Sequence, residues 1–453
     1  MSALRPLLAP PPARVPAAAA ATDQPPRASA PESARRPRLA WLDALRGIAA
    51  LCVVYEHWGA RVLPFVHAVV FSVFDPGLYG VLVFFLISGY IVPASLERTG
   101  SVRSFWISRL FRLFPLFAVV IAITLALHLL GLPGLHGTGQ NMTASALSHL
   151  FMLNDLLGEP NLVVVIWTLS YEMVFYLLVT ALFTAQLHRR SSGLAVTFAG
   201  AALGLGGLLP TAWLSDHTVG PTAVALAGDV LVMGGLAVAV IGRGLPRAIG
   251  VWVAAGTGLV LVVFNERRFG YEGLTILALM FTGTLLYRAQ HGQVSRRAAA
   301  IVTAGVFAAV IAAGAWHIPA LTASGQAALQ QRDWVMAVAL AGLTFVAGLA
   351  LRNVRVPSAL TWLGLVSYSL YLVFPLLLDL YDGIPFPASY QHQAWLQVGA
   401  SAVFLGALLG CAALTYHLVE APMQRLGKRA AARLDGRFGP AKTAADAAAA
   451  SAS

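Results

Sequence analysis

The chain has 453 residues, of which 58% are hydrophobic and only 11% charged, and its mean hydropathy is +0.74. That balance excludes an ordinary soluble domain and points to a polytopic membrane protein. The net charge of +11 is spread along the chain, with no basic block standing apart from the apolar segments, so membrane topology explains it and no nucleic-acid partner is expected.

The first 38 residues are rich in proline and alanine, carry scattered arginines and lack a continuous apolar run. They are expected to form a disordered cytoplasmic tail and not a signal peptide. Twelve apolar stretches of roughly spanning length follow, beginning near residues 42, 77, 114, 163, 193, 221, 247, 271, 299, 334, 361 and 396. The expected fold is therefore all-α: a transmembrane helix bundle of 10–12 spans over residues 39–422, with both termini cytoplasmic. Residues 423–453 open with arginines and a lysine and decay into AADAAAASAS, which reads as a second disordered tail.

With the N-terminus inside, 25 of the 30 lysines and arginines fall in cytoplasmic segments and four in external ones, while Arg46 lies within the first span. Arg267 and Arg268 are the exception, in a turn assigned to the outside. The longest external loop, 132–162, holds His136, Asn141, His149, Asn154, Asp155 and Glu159 but no arginine, and is placed to cover the mouth of a site. Cys52 and Cys411 sit in apolar stretches without paired or metal-like spacing, so neither a disulfide nor a zinc site is expected.

The first span reads LDALRGIAALCVVYEH. Ionisable groups at membrane depth cost free energy, so Arg46 and His57 are functional candidates. Eleven residues apart, they share a helix face at about 16 Å separation. One can lie near the membrane surface while the other reaches a buried site. Glu56 points about 100° away from His57, so a direct pair is not expected, whereas Asp43 is spaced to hold Arg46. In FFLISGYI, Ser88 and Gly89 are small enough to let helices approach closely. Arg109 and Arg112, in SRLFRLFP, share a face and can grip a phosphate; the alternative is that they anchor the chain at the inner surface. Glu172 lies about ten residues inside the apolar WTLSYEMVFYLL, with Trp167, Ser170, Tyr171 and Tyr176 nearby. At that depth a carboxylate needs a partner, either His57 or an arginine of another span, unless it serves as a structural contact. SYSLYLVFP offers Ser367, Tyr368, Ser369 and Tyr371 as hydroxyls facing the bundle. There is no G-x-S-x-G elbow, P-loop or H-E-x-x-H.

Taken in order, these blocks resemble the membrane-bound acyltransferase-3 family. Arg46 and His57 look like its Arg-x10-His motif, FFLISGY like its second-span block, and Arg109 and Arg112 like its Arg-x-x-Arg motif. WTLSYEMVFYLL resembles its Trp-Ser-Leu-x-x-Glu-x-x-Phe-Tyr block, and SYSLYL and YHLVEAPM its closing spans. The resemblance implies an O-acyltransferase of the bacterial inner membrane, with acyl-CoA (acetyl-CoA in the simplest case) as co-substrate, no permanently bound cofactor or metal, and a carbohydrate or glycosylated acceptor. It implies that His57 is the catalytic base and that Arg109 and Arg112 handle acyl-CoA. Arg46 would stabilise charge and Glu172 would orient or pair with His57, with Trp167, Ser170, Tyr176, Ser88 and Tyr368 in support. Direct transfer and an acyl-histidine relay both remain open. Many relatives carry a histidine where this chain has Phe374, and the family core is usually drawn with ten spans. The alternative class is a twelve-span secondary transporter, in which the histidine and glutamate would relay protons.

Overall fold

The computed structural model describes residues 39–131, 142–217, 220–322, 324–384 and 393–438. The tail expected over residues 1–38, the last residues from 439 on, and His136 and Asn141 of the outer loop lie outside the described residues.

All regular structure among the described residues is helical. In chain order the helices are α1 (Ala40–Val62), a short α2 (Pro64–Phe71), α3 (Pro76–Thr99), α4 (Val102–Leu129), a short α5 (Met142–Leu150) and α6 (Trp167–Thr184). Then come α7 (Ser191–Leu205), the single-turn α8 (Trp213–His217), α9 (Pro221–Ile241), α10 (Gly244–Phe264) and α11 (Gly270–Gln290). The remainder are α12 (Arg296–Leu321), α13 (Ser324–Ala350), α14 (Ser358–Leu365), α15 (Ser367–Asp382), α16 (Ala394–Thr415) and α17 (Ala421–Phe438). Each of the twelve apolar stretches falls on one of the longer helices, or on the pair α14 and α15.

Among the described residues, eight helices can cross a membrane by length and composition, nine if the bent pair α14–α15 is one span. Three elements of the bundle fall outside that set. α1 carries Asp43, Arg46 and Glu56, α11 carries Glu272 and Arg288, and α7 has only 15 residues. The helices least suited to lipid are thus those loaded with charge, which fits interior positions.

Local sequence sets the ends. Asp75 caps α3 by accepting from the Leu78 amide at 2.9 Å, with Pro76 in the first turn where its missing N–H costs nothing. Gly100 ends α3 at φ 63°, and Ser101 immediately caps α4. Where α3 crosses α11 the backbones touch: a Cβ on Gly89 would lie 1.8 Å from the Met280 carbonyl oxygen, and one on Gly283 2.2 Å from that of Leu86. This is the close approach expected of Gly89. Gly364 does the same for α14, where a Cβ would come within 1.9 Å of the Asp43 carbonyl oxygen. The chain then turns by 69° between α14 and α15, which sends SYSLYL into the bundle beside α1.

The expectation of an unstructured segment from residue 423 is corrected. Residues through Phe438 form α17, packed along α4, where the Ser101 and Ser104 hydroxyls donate to Asp435 and Gly427 lies against Phe111. The segment is too polar to be recognised as a span, and its apolar face becomes useful only with α4 beside it.

Candidate active site

Two cavities occupy opposite halves of the bundle. The first, about 80 Å³, is lined by Arg46 of α1, Ser88 of α3, Arg109 and Arg112 of α4, Thr168 and Glu172 of α6, and Ser367, Tyr368 and Tyr371 of α15. Six of the ten sequence candidates meet here: Arg46, Ser88, Arg109, Arg112, Glu172 and Tyr368.

The charges in this cavity are held in fixed places. Glu172 Oε1 accepts from the Ser88 hydroxyl at 3.0 Å and from the Tyr176 hydroxyl at 2.5 Å. Arg109 is buried, with its guanidinium 5.1 Å from the centroid of the Tyr176 ring and 5.4 Å from that of Phe105. Arg112 has a buried Nε with no hydrogen-bond partner, although such groups are normally satisfied. Tyr368 donates to the Leu113 carbonyl at 2.7 Å, tying α15 to α4 beside the arginines. Glu420, in a π-helical turn at Tyr416–Glu420, accepts from Ser369 at 2.9 Å and is near enough to Arg112 and Arg46 to act on both. It was missed in the sequence because it follows an ordinary apolar run; the turn that aims it inward is the signal.

His57 is not in this cavity, and the expected pairing of Glu172 with His57 is corrected. Glu172 faces α3 and α4, on the side of α6 where Ser88 and the arginines lie, whereas His57 lines the second cavity. That cavity, about 470 Å³, also holds Glu56, Asp75, Trp167, Arg268, Glu272, Asp333 and Trp334. The His57 Nδ1 lies 3.1 Å from the Val53 carbonyl oxygen, a partner that leaves the basic lone pair on Nε2 in the neutral ring. Phe374 packs on the imidazole at a centroid distance of 5.3 Å. Glu56 Oε2 stands 3.8 Å from Nδ1, ion-pair distance for a protonated ring, and opens into the same cavity, so the expectation that the helical offset keeps the two apart is corrected. Gly77 makes room for it, since a Cβ there would fall 1.2 Å from that oxygen.

Val81 and Tyr371 line both cavities and form the partition between them. The Tyr371 hydroxyl is fixed by Thr168 at 2.9 Å and by the Val165 carbonyl at 3.0 Å. Trp167 faces the His57 side, Tyr176 lies behind Glu172, and Ser170 is a core residue whose hydroxyl has no partner. Arg267 and Arg268, out of place as topology signals, have local partners. Arg267 donates to the Glu159 carbonyl at 3.3 Å, while Arg268 pairs with Glu272 at 3.4 Å and stacks 4.5 Å from the Trp167 ring. No group of residues suited to hold a metal ion occurs among the described residues.

The architecture is that of a multi-pass membrane protein with a cationic cavity joined through a thin partition to a histidine-bearing one. Residues 39–417 match the acyltransferase-3 family model, an acyltransferase domain, and the chain belongs to this family. It is 33% identical to nodulation protein 10 of Rhizobium leguminosarum bv. viciae over 141 residues, 28% of this chain and 38% of that protein. It is 29% identical to a protein named as acetyltransferase ORF330 of Acidianus two-tailed virus over 157 residues, 34% of this chain and 42% of that one. The chain thus spans about two-fifths of the length of these curated relatives. No solved structure matches it.

The loop that leads into α11 carries a titrating group. Glu266 accepts from the Tyr171 hydroxyl, and burial, reinforced by the Glu272 carboxylate, pushes its pKa from 4.5 up to about 8. The folded protein therefore binds this proton more tightly than the unfolded chain does. Its stabilisation is full below about pH 4.5 and is lost as pH rises through about 8, at most about 5 kcal/mol. Glu266→Gln should flatten the fall in melting temperature between pH 5 and 9; an unchanged slope would show that another group carries it.

Proposed function

We propose that the protein transfers an acyl group from acyl-CoA to a hydroxyl of a carbohydrate or glycosylated acceptor at the bacterial plasma membrane, with His57 as general base. The observation that carries this reading is the pair of cavities meeting at Val81 and Tyr371, one cationic and the other holding the histidine. Three arginines converging on one cavity suit a polyanionic donor such as the phosphates of CoA. The acetyltransferase name of the viral relative favours acetyl as the group moved.

In this mechanism CoA phosphates sit against Arg112 and Arg46, and the pantetheine arm carries the thioester past the partition towards His57. The acceptor hydroxyl gives its proton to Nε2 as its oxygen bonds to the thioester carbonyl carbon. Collapse of the tetrahedral intermediate breaks the C–S bond, and the thiolate takes the proton back from the imidazolium. Neutral His57 is poised for this because Val53 accepts from Nδ1. Glu172, held by Ser88 and Tyr176, keeps the arginine cluster partly neutralised and in place. The acceptor enters through the His57 cavity, whose opening lies on the opposite face of the membrane from the arginines.

His57→Ala should lower the transfer rate by about 10²–10⁴-fold while CoA affinity and melting temperature stay at parental values. A purified variant that turns over at near the parental rate would sink the base assignment. Arg112→Ala should weaken CoA binding by about 1.5–3 kcal/mol with stability unchanged, and lysine there should restore only part of it. Arg109→Ala should also lower the melting temperature, because that guanidinium packs between two rings. CoA affinity indifferent to both changes would leave them as inner-surface anchors. Sidedness is read by cysteine labelling after Cys52 and Cys411 are replaced by serine. Cysteine at the exposed Leu130 should react with a membrane-impermeant reagent in intact cells, and cysteine at the exposed Thr99 should not. The reverse pattern would overturn the orientation.

A further inference from the structure

A third feature lies away from both cavities. α12 and α13 leave a long apolar groove, floored by the end of α11 and lined by Ala300, Thr303 and Phe307 on one wall and Gly342 and Val346 on the other. Only about a third of each of these two spans is buried within the protein. At one end of the groove stand Arg296 and Arg352.

We propose that this groove binds an anionic glycerophospholipid, with the phosphate on Arg296 and Arg352 and one acyl chain lying between α12 and α13. Three observations carry it. The lining along α12 runs from Arg296 to Ile311, which at 1.5 Å per residue is about 22 Å, the depth of one leaflet with its headgroups. Both cations stand at the same end of that length, so the groove has the polarity of a lipid, charged at the surface and apolar below. Arg296 opens α12 just after its Ser295 cap, where the helix dipole adds to the attraction for phosphate. Thr303 lines the groove about 10 Å below Arg296.

Other occupants fit less well. The first 38 residues carry six arginines against Asp23 and Glu32, so the same two cations repel them. A second copy related by a two-fold axis along the membrane normal would bring Arg296 and Arg352 of both copies to one level, with like charges adjoining. A neutral lipid fills the apolar length but leaves the arginine pair without a counter-charge.

The test is native mass spectrometry and thermal melting of the delipidated full chain in detergent, with phosphatidylglycerol or phosphatidylcholine added back. The parent should retain phosphatidylglycerol preferentially and melt at a higher temperature with it, and the preference should shrink at high salt. Arg296→Gln with Arg352→Gln should lower phosphatidylglycerol affinity about thirtyfold, about 1 kcal/mol per arginine, and leave phosphatidylcholine unaffected. Ala304→Trp, which fills the groove and keeps both charges, should lose the bound lipid; it serves as the readout if the double variant does not fold. Equal retention of the two lipids by the parent, or undiminished phosphatidylglycerol binding by either variant, would overturn the proposal. A lipid-free dimer would overturn it too, by showing that a second copy covers the groove.

Discussion

The free energy of keeping guanidinium groups away from water governs this structure. Arg46, Arg109 and Arg112 converge on one cavity from two helices, and each must be compensated there or leave the bundle. Compensation is built from three sources: the Glu172 carboxylate held by Ser88 and Tyr176, the aromatic faces around Arg109, and the nearby Glu420. The contacts that shape the cavity follow from it. Gly364 brings α14 against α1 beside Arg46, and the 69° turn after it carries α15 in so that Tyr368 can tie to α4. Asp43 adds a further carboxyl close to Arg46, and the Arg112 Nε is still left without a partner. A site preorganised in this way has its cost met in folding and is ready for an anion.

The opposite half has a different lining. Glu56, Asp75, Glu272 and Asp333 line the histidine cavity, where Arg268 is drawn onto Trp167 and Glu272. Only the residues of the partition, Val81 and Tyr371, stand where the two environments meet, and Tyr371 is held from two sides. This separation is what the eleven-residue spacing of Arg46 and His57 produces: one helix delivers an arginine to one cavity and a histidine to the other.

Much of this was legible in the chain. Apolar length located every long helix but α17, and the depth of Arg46, His57, Arg109, Arg112 and Glu172 in otherwise apolar segments marked them out as candidates, because such groups are costly there. Less accessible were the residues whose importance depends on neighbours distant in sequence. Arg268 reads as a misplaced topology signal until Glu272 and Trp167 surround it, and Glu56 reads as pointing away until Gly77 opens a place for it. α17 was taken for a tail because its segment is polar, and it is α4 that gives its apolar face something to cover.

The sequence by itself determined the helical class, the membrane setting and the cast of buried ionisable groups, since these follow from hydropathy and from the local periodicity of 3.6 residues per turn. Which of those groups face one another was decided only by the tertiary structure. Glu172 joined the arginines and left His57 to a separate cavity because the rotation of α6 against α3 and α4 is set by packing across the bundle. Periodicity places a side chain on a helix face; the glycine contacts between helices choose what that face meets.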